Sequence, residues 1–316
     1  MYEKLIYLFL KLRLILFANF RLKKYKIGRN SFFLGEKKEK YNTILIYLNN
    51  RYLAHMGDQI FFEPLMQILK EKEIDFEICI TEPLKDYFKS LNYRVIQKPN
   101  WNNYDLIISR SDFYYELRNK KNIFLIKTLN LEERICKTVC KEVINFLKLD
   151  IKNIDKSISK IKIANIIKNK YIIDIINDKD NEYIVFSNYI DSGSMFSNKK
   201  NFERLEEFCK KYKKNKKVKV LHIGTKKDKI NDSKIYEYVD IDLRGKTTIT
   251  ELMWLISNNN IKTYIGMDNF VMHIFYIYFK GVNVCIRSKG SKARKEQILN
   301  YINPPFEMKK MDINYI

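Results

Sequence analysis

Short apolar runs alternate with longer amphipathic stretches along most of this chain. The run TILIYL at residues 43–48 is continuous and too short for a helix, so it predicts a buried strand. Amphipathic stretches at 82–91, 132–148 and 150–179 predict helices, the last of them connecting two domains. Strands alternating with helices indicate an α/β fold with parallel sheets. Further strands are predicted at residues 76–81, 94–96, 106–109, 123–126, 183–186, 218–222, 263–265 and 282–286.

The stretch from Asp242 to His273 has the clearest pattern: strand, turn, helix, strand, turn, helix. A short apolar strand ends at Gly266, and Asp268 and Asn269 follow it directly before a helix. This order places polar side chains and backbone N–H groups at the carboxyl edge of a sheet, where α/β folds bind phosphates. The pattern therefore predicts a ligand site between Gly266 and Asn269.

The N-terminus combines apolar and basic residues. Residues 5–20 are strongly apolar but contain Lys11 and Arg13, and these 16 residues are fewer than the roughly 20 that span a bilayer. A basic cluster follows at Arg21, Lys23, Lys24, Lys26 and Arg29. The pattern predicts an amphipathic helix in the interface of an anionic membrane, whose loss spares the catalytic fold. The alternative is a helix packed on the protein's own core or on a partner.

Length and composition favour two domains of about 150 residues in a reducing cytoplasm. The 316 residues include 59 Lys and Arg against 37 Asp and Glu, a net charge of +22. That charge suits a nucleic acid, an anionic membrane or a phosphorylated substrate, although a general lysine bias explains it as well. The five cysteines form no C-x-x-C pair, and Cys136 and Cys140 are interpreted as buried thiols rather than metal ligands.

Two motifs in the Asp242–His273 stretch carry a family resemblance. The patterns D-L-x-G-x-T-x-x-x-E-L and G-x-D-x-x-x-x-H resemble the C-terminal half of glycosyltransferase family 9, the heptosyltransferases of lipopolysaccharide synthesis. Asn269 stands where the family usually has Ser or Thr, and Phe270 stands where it has Gly. The residues that match are Gly245, Thr247, Glu251, Leu252, Gly266, Asp268 and His273.

A third motif lies after the first strand. Gly57, Asp58 and Pro64 match the family's G-D pair with a proline six residues after the aspartate. The resemblance implies that Asp58 takes the proton from an acceptor hydroxyl, and the alternative is a helix cap. His55 is a weaker candidate for an acid/base or an acceptor contact. Arg110 follows a strand and is a candidate contact to an acidic acceptor, or else a surface arginine.

The resemblance also implies a nucleotide side in the second half of the chain. A lysine before the next helix would offset the charge of a leaving diphosphate, and Lys199 or Lys200 occupies this position. The alternative is a solvated helix start. The candidate donor-binding residues are Gly57, Ser187, Lys199, Lys200, Gly224, Thr225, Thr247, Gly266, Asp268, Asn269 and His273, with His273 bracing the turn.

Taken whole, the resemblance implies a GT-B architecture of two Rossmann-like domains whose parallel sheets face an interdomain cleft. Residues 40–165 would hold the acceptor and residues 180–303 the nucleotide sugar, with 1–30 as the membrane segment and 304–316 as a tail that crosses back. The expected activity is inverting transfer of a heptose or similar sugar from a nucleotide-diphosphate sugar, with ADP-heptose as the candidate donor, to a bacterial lipooligosaccharide or capsular glycan. The expected enzyme needs no metal or cofactor and lies in the cytoplasm, peripherally on the inner membrane. The alternatives are another nucleotide sugar, a non-catalytic relative and a basic nucleic-acid-binding protein.

Overall fold

The computed structural model describes residues 19–49, 56–128, 135–152, 154, 161, 169–188, 199–214, 217–231, 233–267, 269–278 and 282–286. Contacts divide the chain into two compact units, whose main segments are Met1–Ile158 and Ser159–Leu299. Each unit contains one β-sheet. The predicted roles of residues 1–18 and of the tail 304–316 lie outside the described residues.

The first unit is built on a sheet in the order β1-β6-β5-β2-β3-β4. Every neighbouring pair in it is parallel except β1 and β6. Strands β2 and β5 are buried along their whole length, which requires apolar residues on both faces. The strands are β1 Ser31–Leu34, β2 Ile44–Tyr47, β3 Phe76–Cys79, β4 Arg94–Ile96, β5 Leu106–Arg110 and β6 Ile123–Ile126. The helices are α1 Asn19–Leu22, α2 Met56–Ile60, α3 Glu63–Glu71, α4 Glu82–Ser90, α5 Tyr114–Leu117 and α6 Ile135–Leu147.

The second unit contains a fully parallel sheet in the order β11-β10-β7-β8-β9. Its strands are β7 Glu182–Ser187, β8 Val218–His222, β9 Ile241–Asp242, β10 Ile261–Met267 and β11 Val282–Ile286. Its helices are α7 Lys170–Asn177, α8 Lys199–Lys213, α9 Lys226–Asn231, α10 Ile249–Ser257 and α11 Phe270–Ile277. The α/β prediction is therefore confirmed, with one correction in the first unit.

That correction concerns β1, which the sequence pattern did not predict. This strand pairs antiparallel with β6 at the edge of the first sheet, so the sheet is mixed rather than wholly parallel. All four of its residues are buried, yet basic and polar residues surround it in sequence and hide its short apolar run. Four residues are too few to establish a period of two.

The end of the N-terminal segment belongs to the first unit. Leu22 is fully buried in the hydrophobic core beside Phe32 and Leu45, and Lys26 forms an isolated antiparallel bridge with Phe32. The expectation that loss of residues 1–30 spares the fold stays untested, but a deletion that reaches Leu22 is now expected to cost stability because it removes a core residue. The five cations of the basic cluster, Arg21 to Arg29, are all exposed. Among the described helices, none is both long and apolar enough to cross a membrane.

The cysteines that can be described are core residues. Cys79, Cys136, Cys140 and Cys209 are buried thiols, as the sequence pattern indicated. Burial raises the pKa of the Cys79 thiol to about 11, and nearby Lys85 lowers it only partly. Burial likewise raises the pKa of the Cys209 thiol, and all four side chains pack as small apolar groups.

Candidate functional site

Asp58 lies on the short helix α2, which follows strand β2 at the carboxyl edge of the first sheet. Its side chain is 26% exposed, and its Oδ2 lies 2.7 Å from Nη1 of Arg110. Strand β5 neighbours β2 in the sheet, so the end of β5 brings Arg110 beside α2. A partly exposed carboxylate with one oxygen held by a cation is a suitable group for accepting a proton from a bound hydroxyl.

Arg110 is a buried residue with two carboxylate partners. It is 5% exposed, and besides Asp58 it donates from Nε and Nη2 to the two oxygens of Asp112, at 3.0 and 2.6 Å. Its guanidinium carbon also lies 5.6 Å from the centre of the Phe113 ring. The interpretation of Arg110 as a surface arginine is therefore wrong, because these contacts hold its buried side chain at the carboxyl end of β5.

Asp112 is a residue of this cluster that received no role from the sequence. Burial raises its pKa above the ordinary value, the Arg110 guanidinium lowers it, and the Asp58 charge raises it again, with a net upward shift. The two carboxylates thus influence each other through one guanidinium. An Asp two residues after an Arg at the end of a strand is the signal that points to such a pair.

Helix α2 is anchored by a side chain next to Asp58. Gln59 is fully buried; its Nε2 donates to the Thr81 hydroxyl and its Oε1 accepts from the Thr81 backbone N–H, both at 2.9 Å. Gly57 is buried in the same helix, and Pro64 begins the next helix where a proline is tolerated. The G-D-x5-P spacing thus corresponds to two short helices whose first member holds Asp58 in place.

In the second unit, Asn269 caps helix α11. Its Oδ1 accepts hydrogen bonds from the backbone N–H groups of Val271 and Met272, at 3.0 and 3.3 Å. These two N–H groups are therefore occupied by the cap, which corrects the expectation that they face a phosphate. His273 lies one turn into the same helix, where its backbone N–H bonds to the Asn269 carbonyl.

The Asn269 cap is itself held by the sheet. Tyr264 donates its hydroxyl to Asn269 Oδ1 at 3.1 Å, and Asn269 Nδ2 donates to the buried Ser187 hydroxyl at 2.8 Å. A Cβ atom at Gly266 would collide with both the Ser187 carbonyl and the Tyr264 hydroxyl. Gly266 is therefore needed for close packing around the cap, and Ser187 fixes the turn from the neighbouring strand.

The Gly245–Thr247 turn follows β9 and precedes helix α10. Gly245 has φ +68°, and a Cβ there would lie 2.9 Å from Lys226 Cα, so this position requires glycine. Thr248 and Glu251 form a reciprocal capping box on α10, which gives the motif glutamate a structural role. Thr247 directly precedes this capping box and is partly exposed.

The Gly224–Thr225 turn also has a structural role, because it caps helix α9 and packs against it. The Thr225 hydroxyl accepts from the Asp228 backbone N–H at 3.2 Å, and Asp228 accepts in turn from the Thr225 N–H, which caps α9. A Cβ at Gly224 would lie 2.8 Å from Asp228 Oδ2. This turn thus packs against the helix that it begins.

Asp242 and Arg244 stabilise the same edge of the second sheet. Arg244 is 2% exposed, and its Nε and Nη2 donate to the two Asp242 oxygens at 3.0 and 3.1 Å. Burial tends to raise the pKa of Asp242, but the hydrogen bonds and charge of Arg244 outweigh it and lower the pKa to about 2. His222 is a core residue whose polar contact is satisfied, since it is 1% exposed and forms a hydrogen bond with Asn188 at 2.9 Å.

Some candidate residues remain predictions. His55 and Asp268 lie outside the described residues. Lys199 and Lys200 form the first turn of α8, as expected for lysines at a helix start, but their side chains are not described. Among the described residues, no group of three or more His, Cys, Asp or Glu side chains is arranged to hold a metal ion.

Neither protein-family models nor curated proteins match this sequence, whereas several solved structures match its fold. A glycosyl transferase of family 9 from Veillonella parvula has a TM-score of 0.58 at 13% identity, covering 89% of this chain and 88% of that one. The ADP-heptose lipopolysaccharide heptosyltransferase II of Escherichia coli has a TM-score of 0.52 at 11% identity, covering 87% and 90%. An Escherichia coli heptosyltransferase solved with ADP-2-deoxy-2-fluoro heptose has a TM-score of 0.51 at 11% identity, covering 79% and 90%. The chain therefore has the GT-B fold of the family 9 glycosyltransferases.

Proposed function

We propose that this protein is an inverting glycosyltransferase that moves a sugar from a nucleotide-diphosphate sugar to a glycan acceptor, with Asp58 as the base. The observation that carries this proposal is the Asp58 carboxylate, partly exposed and held by buried Arg110 at a strand end. Solved structures of similar fold are glycosyltransferases, which supports the reaction class.

The proposed reaction is a single displacement. The acceptor hydroxyl attacks the anomeric carbon of the donor while Asp58 takes the hydroxyl proton, and the bond from that carbon to the diphosphate oxygen breaks. The diphosphate leaves with the electron pair, and attack from the opposite face inverts the anomeric configuration. An alcohol is a weak nucleophile at neutral pH, so a positioned carboxylate supplies about 10²- to 10⁴-fold in rate.

The donor diphosphate is proposed to bind at the carboxyl edge of the second sheet. Thr247 follows β9 in the turn that begins at Gly245, and the turn before α11 follows β10 at the same edge. Lys199 or Lys200 at the start of α8 would offset the charge that develops on the leaving diphosphate, so no metal ion is needed. Asn269, with buried Ser187 and Gly266, is proposed to hold this turn in shape rather than touch the phosphate.

The donor is proposed to be ADP-heptose or a related sugar nucleotide, because two of the similar structures are described with ADP-heptose or its fluoro analogue. A lipooligosaccharide or a capsular glycan is the proposed acceptor. The proposed place of action is the cytoplasmic face of the inner membrane, where a peripheral enzyme would meet a lipid-linked acceptor.

The exposed cations of the first unit support peripheral attachment. Residues 21–29 expose five cations together with the 51% exposed Ile27. A neighbouring cavity of about 390 Å³ adds Lys37 and Lys141 around Phe146. Basic side chains beside exposed apolar surface are the features that attract a protein to an anionic bilayer.

Calorimetry with ADP, UDP, GDP and CDP tests the donor side. Thr247→Ala should weaken binding of the preferred nucleotide about tenfold or more, because a hydrogen bond to a charged group contributes about 1.5–3 kcal/mol. Thr250→Ala, one turn away on α10, is the matched control and should bind normally. Unchanged affinity in Thr247→Ala, Lys199→Ala and Lys200→Ala together would rule out this diphosphate site.

A further inference from the structure

One guanidinium holds two carboxylates at the edge of the first sheet. Arg110 contacts Oδ2 of Asp58 through Nη1 at 2.7 Å, and it contacts both oxygens of Asp112 through Nε and Nη2. Arg110 is 5% exposed, whereas the side chains of Asp58 and Asp112 are 26% and 20% exposed. The arginine is therefore the buried centre of the cluster, and both carboxylates reach solvent.

We propose that Arg110 and Asp112 are positioning residues for Asp58, an inference that rests on the proposed function. Arg110 contacts Oδ2 of Asp58 at 2.7 Å and so fixes the orientation of the carboxylate that accepts the proton of the acceptor hydroxyl. Asp112 binds the other side of the same planar guanidinium and fixes its orientation, since two parallel hydrogen bonds define a plane. Asp112 itself does not contact the reacting atoms.

The cluster also sets how readily Asp58 takes a proton. A cation at 2.7 Å favours the ionised carboxylate and so weakens it as a base, whereas a neighbouring anion opposes that effect. Asp112 supplies this anion through the shared guanidinium. The charged groups that act on Asp112 are Arg110 and Asp58, so the two carboxylates titrate as a coupled pair beside an arginine that stays charged.

This arrangement predicts opposite effects for two substitutions. Asp112→Asn removes the compensating anion, so the acidic limb of the pH profile of kcat/KM should move down by about one pH unit while kcat falls about tenfold. Arg110→Gln removes the cation and should move the same limb up by about one unit. KM for the sugar nucleotide should stay within twofold in both variants, because the donor is proposed to bind the second unit.

Two further variants distinguish a loss of Asp58 positioning from a general loss of structure. Arg110→Lys keeps one positive charge but cannot bind both carboxylates in a plane, so kcat should fall about tenfold with the acidic limb moved by less than half a unit. Asp105→Asn is the matched control, because Asp105 is also 26% exposed and paired with a lysine but lies at the opposite end of β5. Its pH profile should match that of the wild type.

Carboxyl titration by NMR, on protein labelled with ¹³C at aspartate carboxyl groups, tests the inference without any substrate. The pKa of Asp58 should fall in Asp112→Asn and rise in Arg110→Gln. If the two variants move it in the same direction or not at all, in folded protein, the inference is overturned. If the opposite movements occur but no sugar nucleotide supports transfer, the carboxylate coupling holds and the proposed function fails instead.

Discussion

At the residue scale, Asp58 could be identified from the sequence as a candidate base, whereas its contact with Arg110 could not. The short spacing from Gly57 to Pro64 identified Asp58, because motif and local structure lie in one segment. The burial of its partner Arg110 was not predicted, because the contact between Arg110 and Asp58 depends on β5 lying beside β2 in the sheet. Strand order cannot be predicted from local sequence patterns. Contacts between the ends of strands that are far apart in sequence are therefore the part of the site that sequence reasoning misses.

The Asp242–Arg244 pair gives a prediction about stability and pH. The folded pKa of Asp242 is about 2, below its ordinary value of 3.8, so its ionised form stabilises the fold by about 2 kcal/mol. This contribution is complete well above pH 4 and is lost as the pH falls from about 4 towards 2. Urea unfolding should therefore show wild type more stable than Asp242→Asn at pH 6, with the difference shrinking towards pH 2. A difference independent of pH would contradict this assignment.

At the scale of elements, short apolar runs predicted the positions of most strands correctly. Several motif residues cap helices in the structure. Strands β2 to β8, β10 and β11 lie where short apolar runs predicted them, because burial on both faces demands such runs. The unpredicted elements include the edge strand β1, the short helix α5 and the lysine-rich helix α9, whose sequences lack a sufficiently long period. Thr225 and Asn269, which the sequence analysis predicts as donor contacts, cap helices, as does the motif residue Glu251.

The Asn269 cap is testable by substitution. Asn269→Ala should lower the free energy of unfolding by about 1 kcal/mol, because two N–H groups of α11 lose their acceptor. Asn269→Ser should cost less than half of that, since a serine hydroxyl can accept the same bonds. Chemical unfolding of the three proteins measures these values. Equal loss in both variants would show that the bond to Ser187, rather than the cap, stabilises this turn.

For the whole molecule, the sequence predicted two α/β units and the structure has two units with one sheet each. The likeness to solved glycosyltransferases extends over most of the chain at 13% identity or less. Identity this low is compatible with a common fold because burial pattern and volume, rather than particular residues, determine the core. Donor and acceptor depend on a few exposed side chains, which neither fold nor pattern specifies.

Membrane attachment is a property of the whole molecule, and the exposed basic residues make it testable. Replacing Lys23, Lys24 and Lys26 by Gln removes about 3 kcal/mol of attraction to an anionic surface, so vesicle binding should weaken about 100-fold. Replacing Lys210, Lys211 and Lys214 on the second unit is the matched control. Sedimentation with phosphatidylglycerol vesicles measures both, and equal binding by the two variants would exclude this surface. Truncation should stop after residue 18, because Leu22 is a core residue.

The most direct test of the account is single-turnover sugar transfer by Asp58→Asn. The change removes the proton acceptor but keeps size and shape, so transfer should slow by roughly 10²-fold or more. Affinity for the sugar nucleotide should stay within twofold, and Asp105→Asn, with the same charge change at the far end of β5, should transfer at the wild-type rate. Transfer by Asp58→Asn at the wild-type rate would contradict the assignment of Asp58 as the base.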